Sequence, residues 1–390
     1  MKKKPRILFV LHDGGLTGAT LMILDIIKWL NKNSNYRMSF ILLNEGIVAT
    51  ELKKTGKVLI VKQKADGLIS NVVKWLSTKI LLFGKIYRFI RLNYFLLRNN
   101  SDVCFLNTVV STSVVKGITR YRKRQIICFA HELEYSIGKY IGSSQFRNNI
   151  KFVNSFVANS LQVKNNLINK YDIPENIIEI VQPFPVRSEQ KINSNNLRNE
   201  LNVKENTIVI MASGVVCWIK GYDFFIYIAD FLKKSNNRNF KFIWIGNCSD
   251  LLRIQIEHEI ALLDLNDVIE FIGVVDNPYD YYAIADIFLI LSREESFSMV
   301  GLEALSLGIP VICFNNLEAI SGIVQASNSG FVVEYPDLPK VYSKILTLNE
   351  NPGLRKQFGI NGMKFIEEYS SSYSGHQTIK NIIDSLLNVP

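Results

Sequence analysis

The segment "DIFLILSREESFSMVGLEALSLGIPVICF" (286–314) carries the pattern that decides the fold. An apolar run at 286–292 precedes a stretch with helical spacing, and a second apolar run follows at 309–314. Gly308 and Pro310 stand where such a helix should end, because glycine and proline are typical of helix termini. Strand, helix and strand in this order form a βαβ unit with parallel strands. The segment therefore predicts a parallel sheet covered by helices.

The same alternation runs through the rest of the chain. In the first half the expected strands are 6–12, 38–44, 57–61, 102–107, 125–131 and 155–160, with a helix at 20–32. In the second half the expected strands are 206–214, 240–247, 268–275, 286–292 and 309–314, with a helix at 222–234. Two such series predict an α/β protein with two Rossmann-like, doubly wound sheets.

A chain of 390 residues is too long for one ordinary domain. The stretch 181–196 contains two prolines and a polar tail, which is typical of a linker. We expect an N-terminal domain at 1–186, with a C-terminal helix at 373–390 packing back on it, and a second domain at 187–372. Ligands of such sheets bind at the carboxyl ends of the strands, so the cleft between the domains is the expected site.

The composition limits the possible partners and cofactors. The net charge of +10 favours anionic partners, although a solvated basic surface would give the same value. The five cysteines form no CxxC pair, and we interpret them as reduced thiols of a cytosolic protein. The four histidines lack metal-ligand spacing, and no DxD is present, so we expect neither a metal nor another cofactor.

Several other sequence classes are also disfavoured. The chain has no GxxxxGK[ST] and no GxSxG, and its first turn lacks the GxGxxG spacing of a dinucleotide fingerprint. The apolar part of "MKKKPRILFVLHDGG" is too short for a signal peptide and predicts a first strand. No apolar run reaches the length of about 20 residues that a spanning helix needs, so none is expected.

The stretch 68–101 departs from the general pattern because it contains no Asp or Glu. Its basic residues alternate with aromatic ones: Lys74, Lys79, Lys85, Arg88, Arg91 and Arg98 with Trp75, Phe83, Tyr87, Phe89, Tyr94 and Phe95. Such a pair of helices can lie on an anionic membrane surface. Alternatively, the aromatic rings pack on the sheet and the charges face water. Nucleic acid is not an expected partner, because no nucleic-acid-binding motif accompanies the charge.

Three strand ends carry residues that suit ligand binding. Gly14 and Gly15 follow the first strand and would allow close backbone approach, or form an ordinary loop. His131 follows the strand at 125–131, where a structural histidine is the common alternative. Lys220 precedes the helix at 222–234 and can hold a phosphate as a point charge, or remain a surface lysine.

The fourth strand end belongs to the opening segment. Glu295 precedes a helix expected from 297–298 to Leu307, and Glu303 lies within it. Taken alone, Glu295 could complement the helix dipole and Glu303 could be a surface residue. The start of a helix also leaves backbone N–H groups unpaired and attracts anions. Those N–H groups would belong to Ser298, Met299 and Val300.

The segment as a whole resembles the Glu-x7-Glu motif of retaining GT-B glycosyltransferases of family 4. Here the motif reads "ESFSMVGLEAL" (295–305), followed by "GIPV" (308–311), where the family usually has Glu-Gly-Phe-Gly, an apolar run, Glu-Ala and Gly-x-Pro-Val. The stretch 155–181 resembles the family's last strand-helix unit of the N-terminal domain. The resemblance implies the GT-B fold, with two Rossmann-like domains facing across a deep cleft. It also implies that the domain at 1–186 binds the acceptor and that the domain at 187–372 binds the nucleotide sugar.

The resemblance also implies roles for individual residues. Glu303 would bind the ribose hydroxyls of a nucleotide sugar, and Glu295 would contact the transferred sugar. Lys220 and the N–H groups of residues 298–300 would hold the diphosphate, which Gly14 and Gly15 would approach from the other domain. His131 would lie near the donor sugar and the acceptor.

Two segments depart from the family pattern. Gly214-Val215-Val216 replaces the usual Gly-Arg-Leu, so one phosphate-binding arginine is missing. Ser296 and Ser298 replace the glycines of Glu-Gly-Phe-Gly.

The expected function is a retaining, metal-independent glycosyltransferase of surface glycan synthesis. It would use a nucleotide-sugar donor and a saccharide or lipid-linked acceptor, in the cytoplasm at the inner face of the cell membrane. Because of the departures, a catalytically silent GT-B subunit of a glycan-assembly complex is the alternative. A phosphorylase, which would use phosphate, is a weaker one.

Overall fold

The computed structural model describes residues 4–15, 17–62, 77–120, 123–184, 192–194, 196–235 and 239–388, with the backbone alone at 77–86. The chain divides into two compact units. The first comprises Met1–Pro183 and Ser374–Pro390, and the second Phe184–Tyr373. The expected domain boundaries were 186/187 and 372/373.

The first unit is built on a sheet of seven strands in the order β3-β2-β1-β4-β5-β6-β7. Every neighbouring pair is parallel. The strands are β1 (Arg6–Leu11), β2 (Arg37–Asn44), β3 (Lys57–Lys62), β4 (Val103–Asn107), β5 (Gln125–Ala130), β6 (Ser155–Ala158) and β7 (Ile178–Ile180). The order reverses between β1 and β4, which places the topological switch point there.

Helices cover both faces of this sheet. They are α1 (Gly18–Asn33), α2 (Val48–Thr55), α3 (Ser77–Arg98), α4 (Val115–Thr119), α5 (Glu134–Tyr140), α6 (Ser143–Ile150), α7 (Leu161–Tyr171) and α16 (Gly375–Leu387). Alternate residues of β1 pack into different cores, Phe9 with α1 and α16 and Val10 with α3 and α4. Because β1 is buried on both faces, its sequence is a continuous apolar run.

The second unit has a sheet of six parallel strands in the order β10-β9-β8-β11-β12-β13. The strands are β8 (Ile208–Ser213), β9 (Phe240–Ile245), β10 (Ile269–Gly273), β11 (Ile287–Ile290), β12 (Val311–Phe314) and β13 (Gly330–Val333). Its switch point lies between β8 and β11, where the strand order reverses.

The helices of the second unit complete its layers. They are α8 (Leu197–Glu200), α9 (Tyr222–Lys234), α10 (Asp250–Leu262), α11 (Pro278–Tyr282), α12 (Met299–Ser306), α13 (Glu318–Ser327), α14 (Leu338–Glu350) and α15 (Pro352–Ser372). The prediction of two Rossmann-like parallel sheets is therefore confirmed. The helix expected from 297–298 to Leu307 is α12, and Gly308 follows it with φ of +74°.

Some strands and part of the linker differ from the prediction. The strands β7 and β13 were not predicted, and Val181, expected in the linker, is buried in the core of the first unit. Residues 185–191 and 195 of that linker, and 68–76 of the basic stretch, lie outside the described residues. Cys104, Cys128 and Cys313 are buried, whereas the remaining two cysteines are half-buried.

None of the helices in the described ranges combines the length and apolar character that crossing a membrane requires. Within the same ranges, no three His, Cys, Asp or Glu side chains are grouped as a metal site would need.

Candidate active site

The carboxyl ends of β8 and β11 meet at the switch point of the second unit. The two strands are paired in parallel, with Ile287 opposite Ile210 and Phe288 opposite Met211. After β8 comes a 3-10 turn at Trp218–Lys220, and after β11 comes the loop 291–298. Since open parallel sheets bind ligands at such points, these two segments define the candidate site of this unit.

Lys220 and Glu295 form an ion pair at this point. Lys220 Nζ donates to Glu295 Oε1 at 2.7 Å, and the hydroxyl of Ser292 donates to Glu295 Oε2 at 2.8 Å. The side chain of Glu295 is 8% exposed and that of Lys220 27%. Both carboxylate oxygens are thus held, and the ammonium remains accessible to an anion.

The turn that presents Lys220 depends on two glycines. Gly221 has φ of +73°, and a Cβ there would lie 2.1 Å from the carbonyl oxygen of Leu291. Only glycine allows this close packing of the turn against the loop after β11. A Cβ on Gly214 would lie 3.6 Å from Lys220 Cε, so the lysine stem runs along the glycine backbone.

Arg293 joins the same two segments and was not singled out from the sequence. Its guanidinium makes a forked pair with Asp223, Nη1 to Oδ1 at 2.8 Å and Nη2 to Oδ2 at 2.6 Å. Nη1 also donates to the carbonyl oxygen of Trp218 at 2.5 Å, and the group stacks over the rings of Trp218 and Phe224. The backbone N–H of Arg293 donates to the carbonyl oxygen of Ile219 at 2.7 Å. Arg293 therefore fixes the turn that carries Lys220.

The start of α12 is the second polar feature of the site. Ser298 precedes the helix, and the N–H groups of Met299 and Val300 belong to its first turn, where helices lack internal acceptors. Ser298 is 1% exposed, and its Oγ has no hydrogen-bond partner among the residues that the structure describes. Free N–H groups and an unpaired hydroxyl at a positive helix end suit an anion.

Glu303 lies on α12 beside the end of β8. Burial raises the pKa of Glu303 to about 7, and a hydrogen bond with Tyr282 offsets part of this rise. The Tyr282 hydroxyl oxygen also lies within hydrogen-bond distance of the Ser213 hydroxyl, at 2.9 Å. Burial, followed by the charge of Glu303, raises the pKa of Tyr282 as well. Glu303 is therefore a half-buried carboxyl group in a polar setting, not a surface residue.

His131 lies at the carboxyl end of β5 in the first unit. Its ring contacts that of Phe129, with centroids 4.1 Å apart and the planes tilted by 38°, and its Nε2 is 3.0 Å from Asn107 Oδ1. Burial, with a smaller contribution from His12, lowers the pKa of His131 to about 3. The imidazole is therefore neutral at physiological pH.

Gly14 and Gly15 follow β1 and differ in their surroundings. A Cβ on Gly14 would lie 2.6 Å from the backbone nitrogen of Gly46, so Gly14 has a packing reason to be glycine. The nearest atoms to a Cβ on Gly15 would be those of the Asp13 carboxylate, from 3.0 Å, and not backbone atoms. Close backbone approach to a ligand is thus better suited to Gly15.

The structure brings together the site residues predicted for the second unit, namely Lys220, Glu295, Ser298, Met299, Val300 and Glu303, on two adjacent segments and one helix. The sequence analysis missed the polar groups that hold them, which are Ser213, Asp223, Tyr282, Ser292 and Arg293. The hydrogen bonds Arg293–Asp223 and Tyr282–Ser213 join residues about 70 positions apart, so only the position of Ser292 and Arg293 beside Glu295 could have drawn attention to this group.

Comparison with known proteins agrees with this geometry. Residues 193–365 match the family model described as glycosyl transferases group 1. The matched residues lie in the second unit. An uncharacterized glycosyltransferase of Haemophilus influenzae is 25% identical over 173 residues, 44% of this chain and 48% of that protein. The capsular polysaccharide biosynthesis glycosyltransferase CapM of Staphylococcus aureus is 31% identical over 154 residues, 40% of this chain and 39% of that protein. The chain thus spans less than half the length of both curated relatives.

The solved structure of Anabaena Alr3699/HepE in complex with UDP and glucose matches the whole fold. Its TM-score is 0.77 at 18% identity, covering 98% of this chain and 100% of that one. The family match concerns the second unit, and the structural match, at 18% identity, shows the fold. The GT-B fold expected from the resemblance is thereby confirmed.

Proposed function

We propose that this protein is a retaining glycosyltransferase that moves a sugar from a nucleotide sugar to a saccharide or lipid-linked acceptor. The observation that carries the proposal is the group at the switch point of the second unit. A lysine, a helix start with an unpaired buried hydroxyl, and two held carboxyl groups lie there together. Lys220 and the start of α12 would bind a diphosphate, Glu303 the ribose and Glu295 the transferred sugar.

The chemistry of such a donor suits these residues. A nucleoside diphosphate is a good leaving group, so the reaction needs stabilisation of negative charge more than a strong general acid. An ammonium and backbone N–H groups at a helix start supply that stabilisation. We propose that the reaction needs no metal and retains the anomeric configuration, as family 4 implies. Inversion in the NMR spectrum of the product, or transfer that EDTA abolishes, would contradict these two points.

The relatives favour an active enzyme of surface glycan synthesis. The Staphylococcus aureus relative is named for capsular polysaccharide biosynthesis, and the Anabaena structure contains UDP and glucose. A catalytically silent binding subunit is not favoured, because the named relatives are glycosyltransferases. Although the usual arginine is replaced by Val215, Lys220 and the start of α12 would still bind the diphosphate.

We also propose that the protein works at the inner face of the cell membrane and contacts it through α3. Tyr87, Ile90, Tyr94 and Leu97 are each more than half exposed, and their spacing of three, four and three residues puts them on one helix face. Arg91 and Arg98 stack on Tyr87 and Tyr94 of this face. An apolar stripe with flanking arginines suits an anionic lipid surface.

Thermal unfolding with nucleotides tests the donor site. We expect one of UDP, GDP or dTDP, or its glucose conjugate, to stabilise the wild type by about 2.7 kcal/mol at a hundred times its dissociation constant. Glu303→Ala should abolish most of this gain, because charge-assisted hydrogen bonds to the ribose, worth roughly 1.5–3 kcal/mol each, are lost.

A matched control separates binding from a general effect of the charge change. Glu318 begins α13 in the same unit and is exposed, so Glu318→Ala removes a carboxylate without touching the site. This variant should respond to the nucleotide as the wild type does. If no nucleotide raises the melting temperature of the wild type, the proposed function is wrong.

A further inference from the structure

Polar side chains gather at the carboxyl ends of three neighbouring strands in the first unit. The strands β1, β4 and β5 lie side by side, with Leu11 opposite Asn107 and Asn107 opposite Phe129. His12 follows β1. Asn107 is the last residue of β4, and Thr108 comes directly after it. His131 and Glu132 follow β5. The sequence analysis gave no role to His12, Asn107 or Thr108.

Thr108 has a backbone conformation that must be maintained by its surroundings. Its φ is +76°, which for a β-branched residue costs about 1–3 kcal/mol. The carboxylate of Glu132 accepts the backbone N–H of Val109 at 3.1 Å and that of His131 at 3.0 Å. It also accepts a hydrogen bond from the side chain of Thr108. Glu132 therefore ties the turn after β4 to the end of β5.

This arrangement fixes the tautomer of His12. Thr108 Oγ1 lies 3.0 Å from His12 Nδ1. Since the Thr108 hydroxyl gives its proton to Glu132, Oγ1 accepts from Nδ1–H of His12. The Nε2 of His12 then carries a lone pair, and within the described ranges no group bonds to it.

The tautomer of His131 follows from a similar chain of contacts. Asn107 Nδ2 donates to the carbonyl oxygen of Ala19 at 3.2 Å, which orients the amide. Asn107 Oδ1 therefore accepts from Nε2–H of His131. Its Nδ1 is left as an acceptor, with no partner in the part of the chain that the structure describes.

The charges of this cluster favour an uncharged ligand. Burial lowers the pKa of His12, partly opposed by Asp13, and burial lowers the pKa of His131 to about 3. Both rings are therefore neutral at pH 7, and with the carboxyl group of Glu132 they offer a phosphate no cation. Neutral lone pairs suit hydroxyl donors.

We propose that His12 Nε2 and His131 Nδ1 are paired hydrogen-bond acceptors for saccharide hydroxyl groups, with His12 oriented by Thr108 and Glu132. The inference rests on the proposed function and deepens it, because it adds His12 as a sugar-binding residue and Thr108 as a positioning residue. The hydroxyls belong to the transferred sugar or to the acceptor, and the experiment distinguishes the two.

The experiment compares the wild type with His12→Phe and His12→Gln. Phenylalanine keeps a planar ring without an acceptor, whereas the Gln carbonyl restores one. Dissociation constants are measured by calorimetry for UDP, GDP, dTDP and their glucose and galactose conjugates. The KM is measured for octyl glucoside, octyl galactoside and octyl N-acetylglucosaminide as acceptors. Thr108→Val tests the positioning step in the same assays.

For His12→Phe we expect unchanged affinity for the free nucleoside diphosphate and a loss of about tenfold in one sugar-dependent constant, since one hydrogen bond is lost. Weaker binding of the sugar conjugate alone assigns His12 to the transferred sugar. A raised KM for the octyl glycoside alone assigns it to the acceptor. His12→Gln should recover part of the loss, and Thr108→Val should reproduce part of it.

The inference is overturned if His12→Phe and Thr108→Val bind sugar conjugates and octyl glycosides as the wild type does. Equal weakening for the free diphosphate and its sugar conjugate would also overturn it, since a structural disturbance then explains the change. A wild type that binds no nucleotide refutes the proposed function as well, and that result is visible before any variant is compared.

Discussion

At the scale of a single residue, Glu303 would couple the proposed donor site to pH. Its pKa is raised to about 7 by burial, and only the ionised carboxylate accepts hydrogen bonds from two ribose hydroxyls. The affinity for a sugar nucleotide should therefore rise with pH, by about tenfold between pH 6 and pH 8. Calorimetry with UDP-glucose, or with the conjugate that the thermal experiment selects, measures this. Such a diphosphate diester does not itself titrate near neutrality.

Glu303→Gln provides the control for this pH dependence. The amide does not titrate, so its binding curve should be flat between pH 6 and pH 8. An equally steep curve in this variant would assign the titration to another group.

The stability of the fold should change with pH in the direction opposite to the affinity. Because the pKa of Glu303 in the folded state lies above the ordinary value of 4.5, the native state binds more protons than the unfolded chain at pH values between 4.5 and about 7. Unfolding free energy should thus fall as pH rises from 4.5 to 7, less so in the variant.

At the scale of structural elements, Arg293 joins the turn after β8 to the loop after β11. Arg293→Lys keeps the charge but loses the fork to Asp223 and the stacking on Trp218 and Phe224. We expect a loss of about 1.5–3 kcal/mol in unfolding free energy. Nucleotide affinity should fall several-fold as well, because the turn that carries Lys220 loosens. Urea denaturation and calorimetry measure the two quantities.

Two variants make this test specific. Asp223→Asn should have a similar effect, and the double variant should lose less than the sum of both, because the residues act as a pair. Arg253→Lys makes the same chemical change on α10 of the same unit and should leave both quantities unchanged. Additive losses from Arg293→Lys and Asp223→Asn would show that the fork does not couple the segments.

The same elements show how far the sequence predicts the molecule. The long apolar strands and the helix at 222–234 are recognisable because their periodicity is set by burial on one or both faces. The strands β7 and β13 have three and four residues, too few for a clear period. Glu295 and Glu303 were found through a contiguous motif, whereas Arg293 pairs with a residue 70 positions away and left no local pattern. Thr108 acquires its role only from the packing of β1, β4 and β5.

At the scale of the whole molecule, the excess of positive charge and the exposed face of α3 both bear on the proposed membrane binding. The chain carries a net charge of +10, and the exposed face of α3 adds apolar area beside Arg91 and Arg98. The opposite face contains Leu96, which packs in the core of the first unit, so the rings do not all pack on the sheet. Charge alone would give weak, salt-sensitive attraction, whereas apolar side chains add binding that persists in salt.

This difference yields a test with two sets of variants. Arg91→Gln with Arg98→Gln should weaken binding to vesicles of phosphatidylglycerol and phosphatidylcholine by about 2 kcal/mol at low salt, roughly thirtyfold. Replacing Tyr87, Ile90, Tyr94 and Leu97 by Ser should remove the binding that remains at high salt. These side chains are exposed, so the fold should persist. Co-sedimentation measures both effects. Leu251→Ser with Ile254→Ser removes two exposed apolar side chains from α10 and should change nothing. If the four serines leave sedimentation with anionic vesicles unaltered, α3 is not the membrane-binding element.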